Sequence, residues 1–223
     1  MLSGEIKKAR NRLQTVIYYN KINLQRKNLV FSLFHDRIGT MNRPIPDQVI
    51  LGLLKFKPAH GYELLDYFRS RSHLGWIWTM STSQLYAVLK RLEQSCAIIG
   101  QEIDVLGAPS RVEYTITIDG EEQLNGWLFD QHPSASVHRI RVMFLSRVYI
   151  ANLLCYPVDA ILQSQITACQ AQRYKFIQGQ NQSQTEIERL TIDFIVQQLD
   201  SAISWLTDTT FIFAKPLVNN GSS

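Results

Sequence analysis

The segment STSQLYAVLKRLEQ, residues 81–94, presents its chemistry in order: three hydroxyl side chains, a tyrosine one turn on, then a lysine and an arginine. Hydroxyls at the start of a helix sit beside backbone N–H groups that have no partner within the helix. Together such donors suit an anionic oxygen, a phosphate oxygen above all. Ser81 and Gln84 have the S-x-x-Q spacing in which each side chain satisfies a backbone N–H of the first turn, so a helix is expected to begin near Ser81. Along it Leu85, Leu89 and Leu92 recur at i, i+4 and i+7 and must face a core. Ser83, Tyr86 and Lys90 are left on the outer face. The plainer reading of the same residues is that Ser81 only caps, Tyr86 packs on a neighbouring strand and Lys90 and Arg91 form a solvated face.

Other chemistries find no apparatus. The five histidines, His35, His60, His73, His132 and His138, make no H-E-x-x-H or other ligand spacing, so no metal is expected. There is no G-x-S-x-G, no glycine-rich phosphate loop and no kinase signature, and Ser83 has no histidine base near it in sequence. Catalysis is therefore not expected, and no cofactor is implied. Cys96, Cys155 and Cys169 are widely spaced and odd in number, which argues against a disulfide framework and for a reducing cytoplasm. No apolar run approaches the roughly 20 residues that cross a bilayer, so no membrane association is expected.

The elements that must position residues 81–94 can be read on either side. DQVILGLLKFKP, residues 47–58, has Val49, Ile50, Leu53 and Leu54 at helical spacing, with Pro58 to end the helix. AHGYELLDYFRSR follows, and Tyr62, Leu65 and Phe68, with Leu64, predict the inner face of a second helix from about His60 to Arg71. Gly75 and WIWTM interrupt it; Trp76 and Trp78 read as core and interface packing or as the wall of a small aromatic effector pocket. After the third helix, residues 97–104 and 111–118 read as two strands joined by the turn VLGAPS. In the second, Val112, Tyr114, Ile116 and Ile118 alternate with polar residues. Three helices and a hairpin in this order make a winged helix-turn-helix, whose third helix is the natural one to enter a DNA major groove.

These residues also resemble a family. ILGLLKFKPAHGYELLDYF at 50–68, LYAVLKRLE at 85–93 and EYTITIDG at 113–120 are similar to the PadR family of bacterial transcriptional regulators over about residues 47–127. The joint order and spacing of the motifs carries the resemblance. Two departures stand out: Ala87 occupies a position where the family usually has proline, and the wing turn GAPSR holds only Arg111 where many relatives have several basic residues. The resemblance implies a DNA-binding role for the third helix. Ser81, Thr82 and Ser83 then suit docking on backbone phosphates, Tyr86 suits a phosphate or a thymine methyl, and Lys90, Arg91 and Arg111 add charge.

Charge divides unevenly along the chain. Residues 1–46 hold nine lysines and arginines against Glu5 and Asp36, a net +7, so the remaining 177 residues sum to −3 within the overall +4. This basic extension reads as a nucleic-acid-binding arm, as a transit peptide, or as sequence ahead of a true start at Met41. Residues 47–118 balance seven basic against seven acidic side chains.

Beyond the wing, IDGEEQLNGWLFDQ starts a further helix with Asp119 and Glu122 at capping-box spacing, and a second domain begins near His132. A stripe of Ile140, Phe144, Val148 and Ala151 lies on a helix over 137–155. A glutamine-rich helix runs to about Gln178, and a last helix from about Thr185 to Leu206 carries Ile195, Leu199 and Ile203 on its long apolar stripe, with Ile187 and Leu190 beginning another. More than one apolar face on three helices predicts burial against a second subunit, with Ile140, Phe144, Val148, Ile195, Leu199 and Ile203 at the homodimer interface. A bundle packed only on itself is the alternative.

The expected protein is mainly α with a small β-hairpin. It has a basic extension (1–46), a winged helix-turn-helix domain (47–131), a helical dimerisation domain (132–209) and a C-terminal tail (210–223). Its expected role is that of a cytoplasmic dimeric repressor on double-stranded DNA with a palindromic operator, and the alternative is a winged-helix protein-interaction module without DNA binding.

Overall fold

The structure is a computed structural model that describes residues 46–103, 111–180, 183 and 185–214. The basic extension, the wing turn at 105–110 and the end of the C-terminal tail lie outside the described residues, as does part of the polar turn before the last helix.

The first helix, α1 (Asp47–Phe56), carries Asp47 in its first turn and Lys55 in its last, each favourable to the helix dipole. Val49, Ile50, Leu53 and Leu54 are buried as their spacing predicts, and so are Leu51 and Gly52, because a second layer of helix covers the opposite face. After a two-residue strand β1 (Ala59–His60) comes α2 (Gly61–Arg69), whose first turn is closed by the His60 N–H donating to Glu63 Oε2 at 2.8 Å. Leu64, Leu65 and Phe68 face the core. Tyr62 does not, contrary to its expected place: it shares the outer face with Asp66 and Arg69, at the i, i+4, i+7 positions opposite the leucines.

The third helix, α3 (Thr82–Gln94), is followed by β2 (Ile98–Ile103) and β3 (Arg111–Ile116). The sheet has three antiparallel strands in the order β1-β3-β2. Ala59 pairs with Tyr114 and Ile98 with Ile116, so the expected hairpin gains a third strand from the entrance to α2. The strand also ends earlier than its alternation suggests. Ile118 is exposed and begins α4 (Ile118–Leu128), and Thr117, not Asp119, is the cap: its Oγ1 accepts from the Gly120 N–H and donates to the Cys96 carbonyl.

A short helix α5 (Val137–Arg139) continues through a π-helical turn (Ile140–Phe144) into α6 (Leu145–Leu153). Then come α7 (Asp159–Gln180) and α8 (Glu186–Ala214), the last reaching past the expected end at Leu206. One hydrophobic core runs from α1 through α6 to α8. Side chains of α6 do much to join the winged part to the helical part. A Cβ built on Gly52 would lie 2.4 Å from Ile150 Cγ2, so bare backbone is what lets α6 approach α1. Buried Arg147 donates from Nε and Nη2 to the Leu128 carbonyl at 3.1 and 2.6 Å, satisfying the C-terminal end of α4. Trp78 Nε1 donates to Ser146 Oγ at 2.7 Å, and Ser146 donates in turn to the Val142 carbonyl. The Tyr149 hydroxyl and His73 Nδ1 share a hydrogen bond at 3.0 Å, and burial pushes the phenol up to about 12.

The expected dimer residues divide accordingly. Ile140, Phe144 and Leu199 are buried within the chain's own core, Phe144 meeting Trp205 edge-on at 6.0 Å; Val148, Ile195 and Ile203 are half-buried on the same core. Within the single chain this stripe packs on the bundle and leaves Val148, Ile195 and Ile203 partly exposed. Near its start α8 turns Ile187, Leu190 and Phe194 outward, at i, i+3 and i+7, and further along Trp205 is exposed as well.

One substitution should have opposite signs at two glycines. Gly126, where an added Cβ meets nothing within 4 Å, should gain about 1 kcal/mol from Gly126→Ala through helix propensity alone. Gly52→Ala should lose about 1–3 kcal/mol by forcing Ile150 out of its place. Urea denaturation of the two variants beside wild type checks both.

Candidate nucleic-acid interface

At α3 the capping box expected from Ser81 and Gln84 is formed. Ser81 Oγ accepts from the Gln84 N–H at 3.2 Å, and Gln84 Oε1 accepts from the Ser81 N–H at 2.9 Å. The helix buries Leu85, Val88, Leu89 and Leu92, and turns Ser81, Thr82, Ser83, Tyr86 and Lys90 into solvent. Ser81 and Ser83 hydroxyls lie 3.1 Å apart, and Arg69 Nη2 donates to Thr82 Oγ1 at 3.3 Å. The first turn is thus a cluster of hydroxyls with a guanidinium beside it. Arg69 was not singled out by the sequence, although its i, i+4, i+7 spacing from Tyr62 marks the outer face of α2.

The two other basic residues are committed within the chain. Arg91 is exposed, but its Nε and Nη2 donate to the Asp47 carboxylate at 2.9 and 2.5 Å. Those hydrogen bonds hold the guanidinium above its ordinary value. The pair pins α3 to the start of α1, and Lys90 has no ion-pair partner among the described residues. Arg111, at the start of β3, lies over the Tyr62 ring at 5.6 Å and donates to its hydroxyl at 3.4 Å. Tyr62 in turn stacks on His60, whose Nδ1–H donates to the Val112 carbonyl at 2.9 Å. The wing strand therefore reaches α2 through an aromatic–guanidinium stack, which periodicity could not reveal because it counted Tyr62 among the core residues.

The tryptophans do not share one environment. Trp78 is half-buried, edge-on to Phe68 at 6.4 Å, whereas Trp76 is exposed under the Arg71 guanidinium at 4.8 Å. Among the described residues no group of three or more His, Cys, Asp or Glu is placed to hold a metal ion, and no helix is long and apolar enough to cross a membrane.

A helix-turn-helix with a three-stranded wing sheet, and a capped third helix presenting hydroxyls, tyrosine and lysine outward, defines the winged helix-turn-helix class. Within it, residues 50–126 match the transcriptional regulator PadR-like family, and the chain carries a PadR-like domain. The negative transcriptional regulator PadR of Bacillus subtilis (strain 168) is 29% identical over 106 residues, covering 47% of this chain. The match spans 56% of that curated relative's length. Among solved structures, a PadR family transcription regulator from Clostridium difficile R20291 is 26% identical over 35% of this chain and 78% of its own, with a TM-score of 0.31. Bacillus subtilis PadR in complex with operator DNA is 20% identical over 76% of this chain and 98% of its own, with a TM-score of 0.39.

Ser81 has a structural duty that can be measured by itself. Ser81→Ala should lower stability by about 1 kcal/mol through loss of the cap, while Ser81→Asp, which keeps an acceptor for the Gln84 N–H, should recover most of it. Chemical denaturation of the two variants separates this from any effect on binding.

Proposed function

We propose that the chain is a sequence-specific, double-stranded-DNA-binding transcriptional regulator that acts in the cytoplasm as a homodimeric repressor at a palindromic operator. The observation that carries the reading is the outer face of α3: Ser81, Thr82, Ser83, Tyr86 and Lys90 are exposed together on a helix whose opposite face is locked into the core. Small hydroxyls at a helix start take phosphate oxygens and set the register. A tyrosine and a lysine further along the helix reach a thymine methyl, a base edge or the next phosphate. Arg111 and Arg69 flank this face and widen the phosphate footprint, and Arg91 acts by holding α3 against α1. The PadR-like domain over 50–126 supports the same reading.

Homodimerisation is supported by α8. Its outward Ile187, Leu190 and Phe194 form an apolar stripe distinct from the buried Ile192, Leu199 and Leu206, and an exposed apolar face of this kind is what a two-fold interface covers. A dimer would carry two copies of α3 to two half-sites, which is the physical origin of a palindromic operator.

A duplex selected from a random pool by the wild-type protein supplies the probe. Tyr86→Ala with Lys90→Ala should leave the fold intact, weaken binding to that duplex about tenfold or more, and lower the salt slope by about 1 for the lost lysine. Unchanged affinity would overturn the assignment of α3. A wild-type protein that selects no sequence would favour the protein-interaction module, a reading to which the balanced charge of residues 47–118 lends support.

Phe194→Glu tests the dimer. Phe194 is 61% exposed in the single chain, so a charge there should leave the monomer folded and, at a two-fold interface, be buried twice without a partner. Sedimentation should give a folded monomer with much reduced affinity for the full palindrome. A variant that stays dimeric would move the interface elsewhere.

A further inference from the structure

Gly61 is the first residue of α2 and has no positive φ, so its backbone could carry a side chain, and alanine would be the better helix former. What surrounds it gives the glycine a purpose. A Cβ at Gly61 would lie 2.8 Å from Tyr86 Oη and 3.0 Å from both Tyr86 Cε1 and Cζ. All three nearest atoms belong to one phenol ring, which therefore rests on the bare Cα at the start of α2.

The contrast with Gly52 is informative. There the obstructing group is Ile150, fully buried, and a Cβ would disturb the core. At Gly61 the obstructing group is the far end of a side chain that is 48% exposed, with solvent beside it into which an added Cβ could push it. Adding one methyl at Gly61 would thus displace Tyr86 at little cost to the fold.

We propose that Gly61 is a positioning residue for DNA binding: by lacking a side chain it seats the Tyr86 ring across the start of α2 and fixes the direction in which the phenol meets DNA. This rests on the DNA-binding reading of α3. A seated ring has already given up its rotamer freedom, so it binds without the ordering cost that a swinging phenol would meet. The helix-turn-helix is thereby coupled in both directions, since Arg91 holds the far end of α3 to α1 while Gly61 receives Tyr86 nearer its start.

The test is a double-mutant cycle in the full chain with Gly61→Ala, Tyr86→Ala and the pair, read on the duplex selected by the wild-type protein and on the protein alone. Gly61→Ala should keep or raise the melting temperature, shift the Tyr86 ring resonances in a tyrosine-labelled NMR spectrum, and weaken binding about tenfold, within the coupling expected of touching residues. In the Tyr86→Ala background the same substitution should leave affinity unchanged. Wild-type affinity in Gly61→Ala, or an equal loss in both backgrounds, overturns the proposal. If the wild-type protein selects no duplex, the DNA-binding reading fails and the proposal with it, whereas the NMR arm still reports whether Gly61 seats the ring; an unshifted Tyr86 ring overturns the seat itself.

Discussion

Leu85, Val88, Leu89 and Leu92 form the underside of α3, and their burial sets the orientation of every other group on that helix. Each buried leucine or valine contributes about 1.5–3 kcal/mol relative to exposure, and one residue of rotation would carry them some 100° around the helix. That rotation would draw Tyr86 or Lys90 into apolar surroundings at a further penalty for unpaired polar groups. The polar face is outward because the apolar face has nowhere else to go. The capping box at Ser81 then sets where the helix begins, and so which hydroxyls stand at its positive end.

The face produced in this way is rich in hydrogen-bonding groups and modest in charge. Arg91 is held by Asp47 and Arg111 lies on Tyr62, so two of the cations nearest the helix and the wing already have partners. An exposed pair such as Arg91–Asp47 contributes less than about 1 kcal/mol to stability. Its larger consequence is geometric, because it joins the last turn of α3 to the first residue of α1. Recognition by such a surface depends on where its hydroxyls and phenol are held more than on its net field. That makes a glycine beneath the phenol a meaningful choice of residue.

The helical part is more than an appendage to this face. Ile150 against Gly52, Arg147 on the end of α4, Ser146 with Trp78 and Tyr149 with His73 bring α6 onto α1, α4 and the loop that leads into α3. Trp78 stands three residues ahead of the Ser81 cap. A movement of α6 therefore has a short covalent and hydrogen-bonded route to the start of α3. Close packing at Gly52 leaves little room for α6 to shift without α1 following.

Much of this was readable in local spacing. The Ser81–Gln84 box, the leucine stripe of α3, the alternation of Val112, Tyr114 and Ile116, and the motif order that resembles the PadR family all lie within a few turns of chain, where period and capping chemistry decide the outcome. Other features depended on partners far away in sequence. Ala59 and His60 are too short a strand to show a period and exist as β1 only because Tyr114 and Glu113 pair with them. Thr117 rather than Asp119 caps α4 because the Cys96 carbonyl is there to receive its hydroxyl. Tyr62 faces outward because Leu64, Leu65 and Phe68 occupy the core face of α2 and Arg111 gives its ring a partner. On α8 the sequence determined that two apolar stripes exist. Only the tertiary structure decided that Leu199 belongs to the chain's own core and Phe194 to the outside, since periodicity records which residues share a face and carries no information about what that face will meet.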